Sequence, residues 1–219
     1  MKTKKIAVID PYLLTPCLSG FNHLVDLLEN ARLQYHLPQV MGFESLVKHP
    51  ADAFIVMGSA SHVTQPLPWH APLSEFLMAR LREHKPVLGI CFGHQLLCQG
   101  FGADIGFIHE SEEKLTGVRA VEMTTDAYGL SAGQKLVLTV SHRQVVKTLP
   151  TELRELGRGL AHDFVSHVTL PFLGVQPHPE ALPGFTDETS TVMSEEATRL
   201  ARQDGDLLIS AFFRAHHII

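Results

Sequence analysis

Cysteine is scarce in this 219-residue chain: Cys17, Cys91 and Cys98 are the whole set. Three is too few, and odd, for a disulfide framework, and it points to a reducing compartment, read here as the cytoplasm. Long basic runs are missing too, and none exceeds Lys4-Lys5. With a formal net charge of −5, this argues against a nucleic-acid partner. No apolar stretch reaches the roughly 20 residues of a membrane span, so no membrane role is expected. The chain enters the apolar run Ile6-Ala7-Val8-Ile9 almost at once, without the apolar core and cleavage site of a signal peptide. Internal repeats, low-complexity tracts and linker-like stretches are absent, so 1–219 reads as a single domain. What remains is a globular composition, 45% apolar and 19% charged, long enough for a full core.

Strand and helix patterns alternate through the first half. Residues 5–10 and 53–57 are apolar, buried-type strands, and 35–40 is a further candidate. Helical periodicity covers 21–33, where Phe21, Leu24, Val25, Leu28 and Ala31 share a face. A short helix is expected at 43–48, and a longer one over 73–83. Such β-α-β order predicts an α/β fold: a mostly parallel central sheet flanked by helices, flavodoxin-like, with ligands at the carboxyl ends of the strands. The middle differs. Residues 118–125, 135–140 and 161–169 read as added short antiparallel strands between Gly and Asp turns. Residues 171–176 return to the core, two helices are expected at 188–202 and 206–217, and the polar run 186–194 reads as mobile.

The chemistry concentrates in Gly89-Ile90-Cys91-Phe92-Gly93-His94-Gln95. An apolar strand precedes it and a helix-like run follows. A cysteine therefore sits where a strand turns sharply into a helix, with glycine two residues before and two after. This is the nucleophile-elbow pattern, described for serine as G-x-S-x-G. The helix N-terminus behind such a residue favours a thiolate. A base is expected from Gln176-Pro177-His178-Pro179-Glu180, after another apolar strand. Its prolines stiffen the loop that carries His178 and Glu180. His178 can take the thiol proton while Glu180 orients the imidazole.

In that order and at that separation, the two segments resemble the class I, triad-type glutamine amidotransferases, in the manner of the glutaminase part of GMP synthetase. The resemblance covers roughly residues 4–180. It implies that Cys91 attacks the side-chain amide of glutamine, that ammonia leaves, and that water hydrolyses the γ-glutamyl thioester to glutamate. It assigns His178 as acid and base and Glu180 as its orienter. It places the oxyanion hole at the N–H of Phe92 and in the loop Gly58-Ser59, where this chain lacks the family's usual proline. It assigns substrate binding to Gln95 and to Ser141, His142 and Gln144, the last standing where aspartate is common. No metal or other cofactor is implied; no fused synthetase is expected, so either a separate synthetase subunit receives the ammonia or there is no such acceptor.

Other readings compete. A γ-glutamyl hydrolase acting on a larger γ-glutamyl amide would use the same triad in a wider pocket. A binding protein of the same fold without turnover is a third reading, disfavoured by the intact Cys-His-Glu set. Cys91, His94 and Cys98 have a zinc-like spacing, but a ligand role leaves the flanking glycines unexplained and supplies no fourth ligand. Asp10, at the end of the first strand, is expected to serve a turn, and the scattered histidines read as ordinary surface or loop residues.

Overall fold

The computed structural model describes residues 3–182, 185 and 194–219. Its main elements, in chain order, are β1 (Lys5–Ile9), α1 (Leu18–Leu27), β2 (Arg32–His36), α2 (Pro38–Met41), α3 (Glu44–Lys48), β3 (Ala53–Val56), α4 (His70–Arg82), β4 (Val87–Ile90), α5 (Phe92–Gly100), β5 (Asp104–Phe107), β6 (Leu115–Met123), β7 (Lys135–His142), β8 (Gln144–Thr148), β9 (Leu153–Arg158), β10 (His162–His167), β11 (Phe172–Val175) and α6 (Glu195–Ala215). Nine strands form one sheet in the order β2-β1-β3-β4-β11-β10-β9-β6-β7, and β5 pairs with β8 separately. The five strands from β2 to β11 are parallel, in the doubly wound order of flavodoxin-like folds. From β11 to β7 every pairing is antiparallel.

Alternation along the parallel strands divides the core in two. Ile6, Val8 and Ile55 pack on one face with Leu24 of α1 and Phe212 and Phe213 of α6. Ala7, Ile9, Phe54 and Val56 pack on the other with Leu73 and Leu77 of α4 and Leu97 of α5. Both faces are covered, so β1 and β3 read as continuous apolar runs.

The predicted elements recur with shifted ends. The helix expected over 21–33 stops at Leu27, and Arg32 and Leu33 belong to β2. The strand expected over 35–40 ends at His36, because Pro38 opens α2 and cannot donate to a ladder. The two C-terminal helices are one: Asp204 and Gly205, which suggest a break, lie inside α6. Of the run 186–194, only Ser194 is among the described residues; its side chain accepts from the Ala197 N–H and caps α6. The short strands β5, β8 and β9 are additions that the sequence pattern does not mark.

The antiparallel half curls back towards the parallel half. The N–H of His178 donates to the Thr139 carbonyl of β7 at 2.8 Å, a bridge between the far edge of the sheet and the segment after β11. That return brings Ser141 and His142 to the carboxyl ends of β1, β3, β4 and β11.

Candidate active site

Cys91 links β4 to α5 with φ 49° and ψ −99°. An L-residue adopts this left-handed region only when its surroundings impose it. The Cys91 N–H continues the sheet by donating to the Val175 carbonyl at 2.8 Å. The flanking glycines answer to packing: a Cβ on Gly89 would lie 2.8 Å from the backbone of Gly93, and one on Gly93 would lie 2.5 Å from the Val56 carbonyl oxygen. The elbow can thus sit directly on β3, and the Cys91 side chain is left facing a pocket.

That pocket holds about 370 Å³. Cys91, Gln95, Ser141, His142, Gln144, His178, Glu180, Gly58 and Ser59 all line it, so the sequence-predicted residues converge on one place. Phe92 is not among the lining residues; it is the first residue of α5, where N–H groups have no partner in their own helix. Its ring packs away against Trp69 and His70.

His178 Nδ1 donates to Glu180 Oε1 at 2.9 Å, and both residues are buried. Burial opposes the imidazolium form of His178, but Glu180 and Cys91 beside it outweigh that penalty and raise its pKa above the ordinary histidine value. Phe185 stacks on the imidazole at 4.6 Å between ring centres. Gly58 lies against its other side, since a Cβ there would come within 2.6 Å of His178 Cε1. The turn Gly58-Ser59-Ala60-Ser61 is closed without proline: Ser59 Oγ accepts from the Ser61 N–H at 3.1 Å.

The remaining wall differs in detail from the sequence reading. Gln95 Nε2 donates to the Gln144 carbonyl at 2.8 Å and to Gln176 Oε1 at 3.0 Å, so both amide hydrogens serve the protein. His142 Nδ1 donates to the same Gln144 carbonyl at 3.1 Å. Burial, reinforced by Arg119, lowers His142 to about 3 and keeps it neutral. Gln144 Nε2 donates to Thr64 Oγ1, leaving Gln144 Oε1 buried without a partner among the described residues.

Several residues at or beside the pocket escaped the sequence reading. Gln176 Nε2 donates towards Cys91 Sγ at 3.6 Å; it stands two residues before His178, where only its neighbours carry an obvious signal. Lys114 lines the pocket without any local motif to mark it, and Arg143 lines it between the singled-out His142 and Gln144. Asp10 also lines the pocket, where Oδ2 accepts from the Cys17 N–H at 2.7 Å and from the Tyr35 hydroxyl. That confirms its turn role and adds a tie to β2. Cys98 and His94 lie together in the core, 3.6 Å apart, away from the pocket. Among the described residues no cluster of three or more His, Cys, Asp or Glu is placed to hold a metal ion.

Comparison with known proteins gives this geometry its context. The chain is 35% identical over 97 residues to a subunit of the glutamine-hydrolysing GMP synthase of Pyrococcus furiosus, covering 43% of this chain and 50% of that one. It therefore spans about half the length of such curated relatives. It is 26% identical over 134 residues to gamma-glutamyl peptidase 4 of Arabidopsis thaliana, covering 59% of this chain and 53% of that one. A glutamine amidotransferase crystal structure from Thermotoga maritima superposes with a TM-score of 0.75 at 17% identity, covering 98% of each chain, and shares the fold. The family model for class-I glutamine amidotransferases matches residues 22–193. With an elbow cysteine facing a paired histidine and glutamate in a flavodoxin-like sheet, the chain belongs to the class-I glutamine amidotransferase family.

Proposed function

We propose that this protein is a single-domain glutaminase of the cytoplasm that supplies ammonia to a separate synthetase. The observation that carries the reading is the alignment in one pocket of Cys91 on a left-handed elbow with a His178–Glu180 pair at 2.9 Å. Cys91 Sγ attacks the side-chain amide carbon of glutamine as its proton passes to His178. The amide oxygen becomes an oxyanion, held by the N–H of Phe92 and by an N–H of the Gly58-Ser59 turn. Collapse breaks the C–N bond, His178 returns the proton to nitrogen, and ammonia leaves. Water, deprotonated by His178, then cleaves the γ-glutamyl thioester to glutamate and free thiol. Glu180 holds Nδ1 protonated throughout, so Nε2 faces the sulfur. Gln144 Oε1 and Ser141 are suited to accept from the substrate α-ammonium, while Gln95 and His142 hold that wall by their bonds to the Gln144 carbonyl.

A second reading is favoured by the pocket itself. Its volume lies in the range of sites for ligands larger than one amino acid, and it extends along Tyr12, Leu13, Leu14 and Thr15. A γ-glutamyl amide with a bulky leaving group would fill that extension, and one relative is named a gamma-glutamyl peptidase.

Mass spectrometry after exposure to a glutamine-like electrophile tests the nucleophile. Cys91 should be labelled far faster than Cys17, whose thiol burial and nearby Glu180 push up to about 12, or the buried Cys98. Cys91→Ala should abolish turnover and keep the fold. Equal labelling of all three cysteines would sink the proposal. A higher kcat/KM for bulky γ-glutamyl amides than for glutamine would select the second reading.

A further inference from the structure

The turn that carries His178 and Glu180 is gripped from behind by two helices, and their contacts meet at one histidine. On α1, Gly20 and His23 lie one turn apart on the same face. A Cβ on Gly20 would come within 3.1 Å of Glu180 Cγ, so the helix packs directly on the carboxylate stem. His23 is buried, and both its ring nitrogens are engaged. Nδ1 lies 2.9 Å from the Glu180 carbonyl oxygen, and Nε2 lies 2.7 Å from Asp206 Oδ1. A carbonyl only accepts, so Nδ1 donates to Glu180, and Nε2 faces the Asp206 carboxylate. The other Asp206 oxygen faces Arg202 Nε at 4.0 Å.

Helix α6 supplies the second wall. A Cβ on Gly205 would lie 2.2 Å from the Pro179 carbonyl oxygen, so glycine alone permits this approach. Asp204 Oδ2 accepts from the Val137 N–H at 2.7 Å and so holds β7, the strand that bonds the His178 backbone through Thr139. Three consecutive residues of α6 thus touch the turn itself and two of its supports, β7 and His23. Among the described residues Glu180 Oε2 has no partner and the carboxylate has one side-chain hydrogen bond, to His178, so the backbone grip bears on its orientation.

We infer that His23, held by Asp206, is a positioning residue for Glu180, with Gly205 setting how deeply the turn seats. The inference rests on the triad reading above. By fixing the Glu180 backbone, the pair keeps Oε1 at 2.9 Å from His178 Nδ1 and so keeps Nε2 aimed at Cys91.

Asp206 is one-third exposed, so substitutions there spare the fold. Asp206→Ala should lower kcat for glutamine on the order of 10-fold with KM unchanged. It should also raise the pH at which Cys91 alkylation by iodoacetamide is half-maximal. Asp206→Asn should restore both, because its amide can donate to a neutral His23 Nε2 while Nδ1–H stays on the Glu180 carbonyl. His23→Gln and Gly205→Ala should behave like Asp206→Ala. Wild-type kcat and an unchanged alkylation profile in Asp206→Ala and His23→Gln, with only a lower Tm, would overturn the inference. A wild-type protein without selective Cys91 labelling would instead bring down the triad reading beneath it.

Discussion

A backbone at φ 49° and ψ −99° costs on the order of 1–3 kcal/mol, and at Cys91 that strain is the means by which a side chain leaves the sheet and faces the pocket. In the proposed mechanism the residues around it have unequal tasks: His178 moves protons, and Glu180 only aims His178. His178→Ala should therefore lower kcat for glutamine by about 10³-fold or more, and Glu180→Gln by a smaller factor, about 10²-fold. The double variant should be no worse than His178→Ala alone, because an orienter has nothing left to orient. Steady-state glutamate release by the three variants checks all of this. Near-normal hydrolysis by either single variant would require a different base.

Close approach between elements decides where the elbow sits. Gly93→Ala forces a methyl group to within 2.5 Å of the Val56 carbonyl, a backbone atom that cannot swing aside. A loss of about 1–3 kcal/mol is expected, with slower alkylation of Cys91. Gly100→Ala, at the other end of α5, meets only the rotatable Ser74 hydroxyl at 2.8 Å. It should be near neutral, since alanine gains roughly 1 kcal/mol of helix propensity there. Urea denaturation of the pair separates the two effects. This contrast also explains how much of the molecule was legible in the chain. The elbow, the His-Pro-Glu turn and the parallel strands carry local signatures: flanking glycines, stiffening prolines and continuous apolar runs. Gly205 carried the wrong one. A glycine after Asp204 reads locally as a helix end, whereas its cause is the Pro179 carbonyl far away in sequence. Lys114 and Arg143 were missed for the same reason, because only the return of β7 and its neighbours brings them to the pocket. Gln95 lines the pocket, but its hydrogen-bond partners, Gln144 and Gln176, belong to distant segments that no spacing rule connects.

Across the whole molecule, buried histidines link stability to pH. His70, His94 and His142 are lowered to about 4, 3 and 3, chiefly by burial. The unfolded chain binds protons at these sites below about pH 6.5, and the folded chain does not. Their stability is therefore present above that pH and lost as pH falls towards 4, by up to about 1.4 kcal/mol per histidine per pH unit. His178 shifts the other way, so its contribution is complete below pH 6.5 and fades as pH rises. Both ring nitrogens of His70 lack partners among the described residues, and the ring packs on Trp69 and Phe92. His70→Phe should thus raise stability by about 1–3 kcal/mol at pH 5 and flatten the slope between pH 7 and 5. Urea melts at several pH values measure it, and an unchanged slope would refute the assignment.

Strand β4 pairs with β3 on one side and with β11 on the other, and β11 is the last strand among the described residues. A ribosome extruding this protein delivers Cys91 long before the segment that flanks it. Until residue 175 emerges, β4 is an open edge with unpaired backbone groups and a thiol at its tip. The nascent polypeptide therefore passes through a stage that is prone to aggregation and incapable of chemistry. Pairing across so long a loop is slow, so acquisition of activity should lag behind collapse of the amino-terminal half.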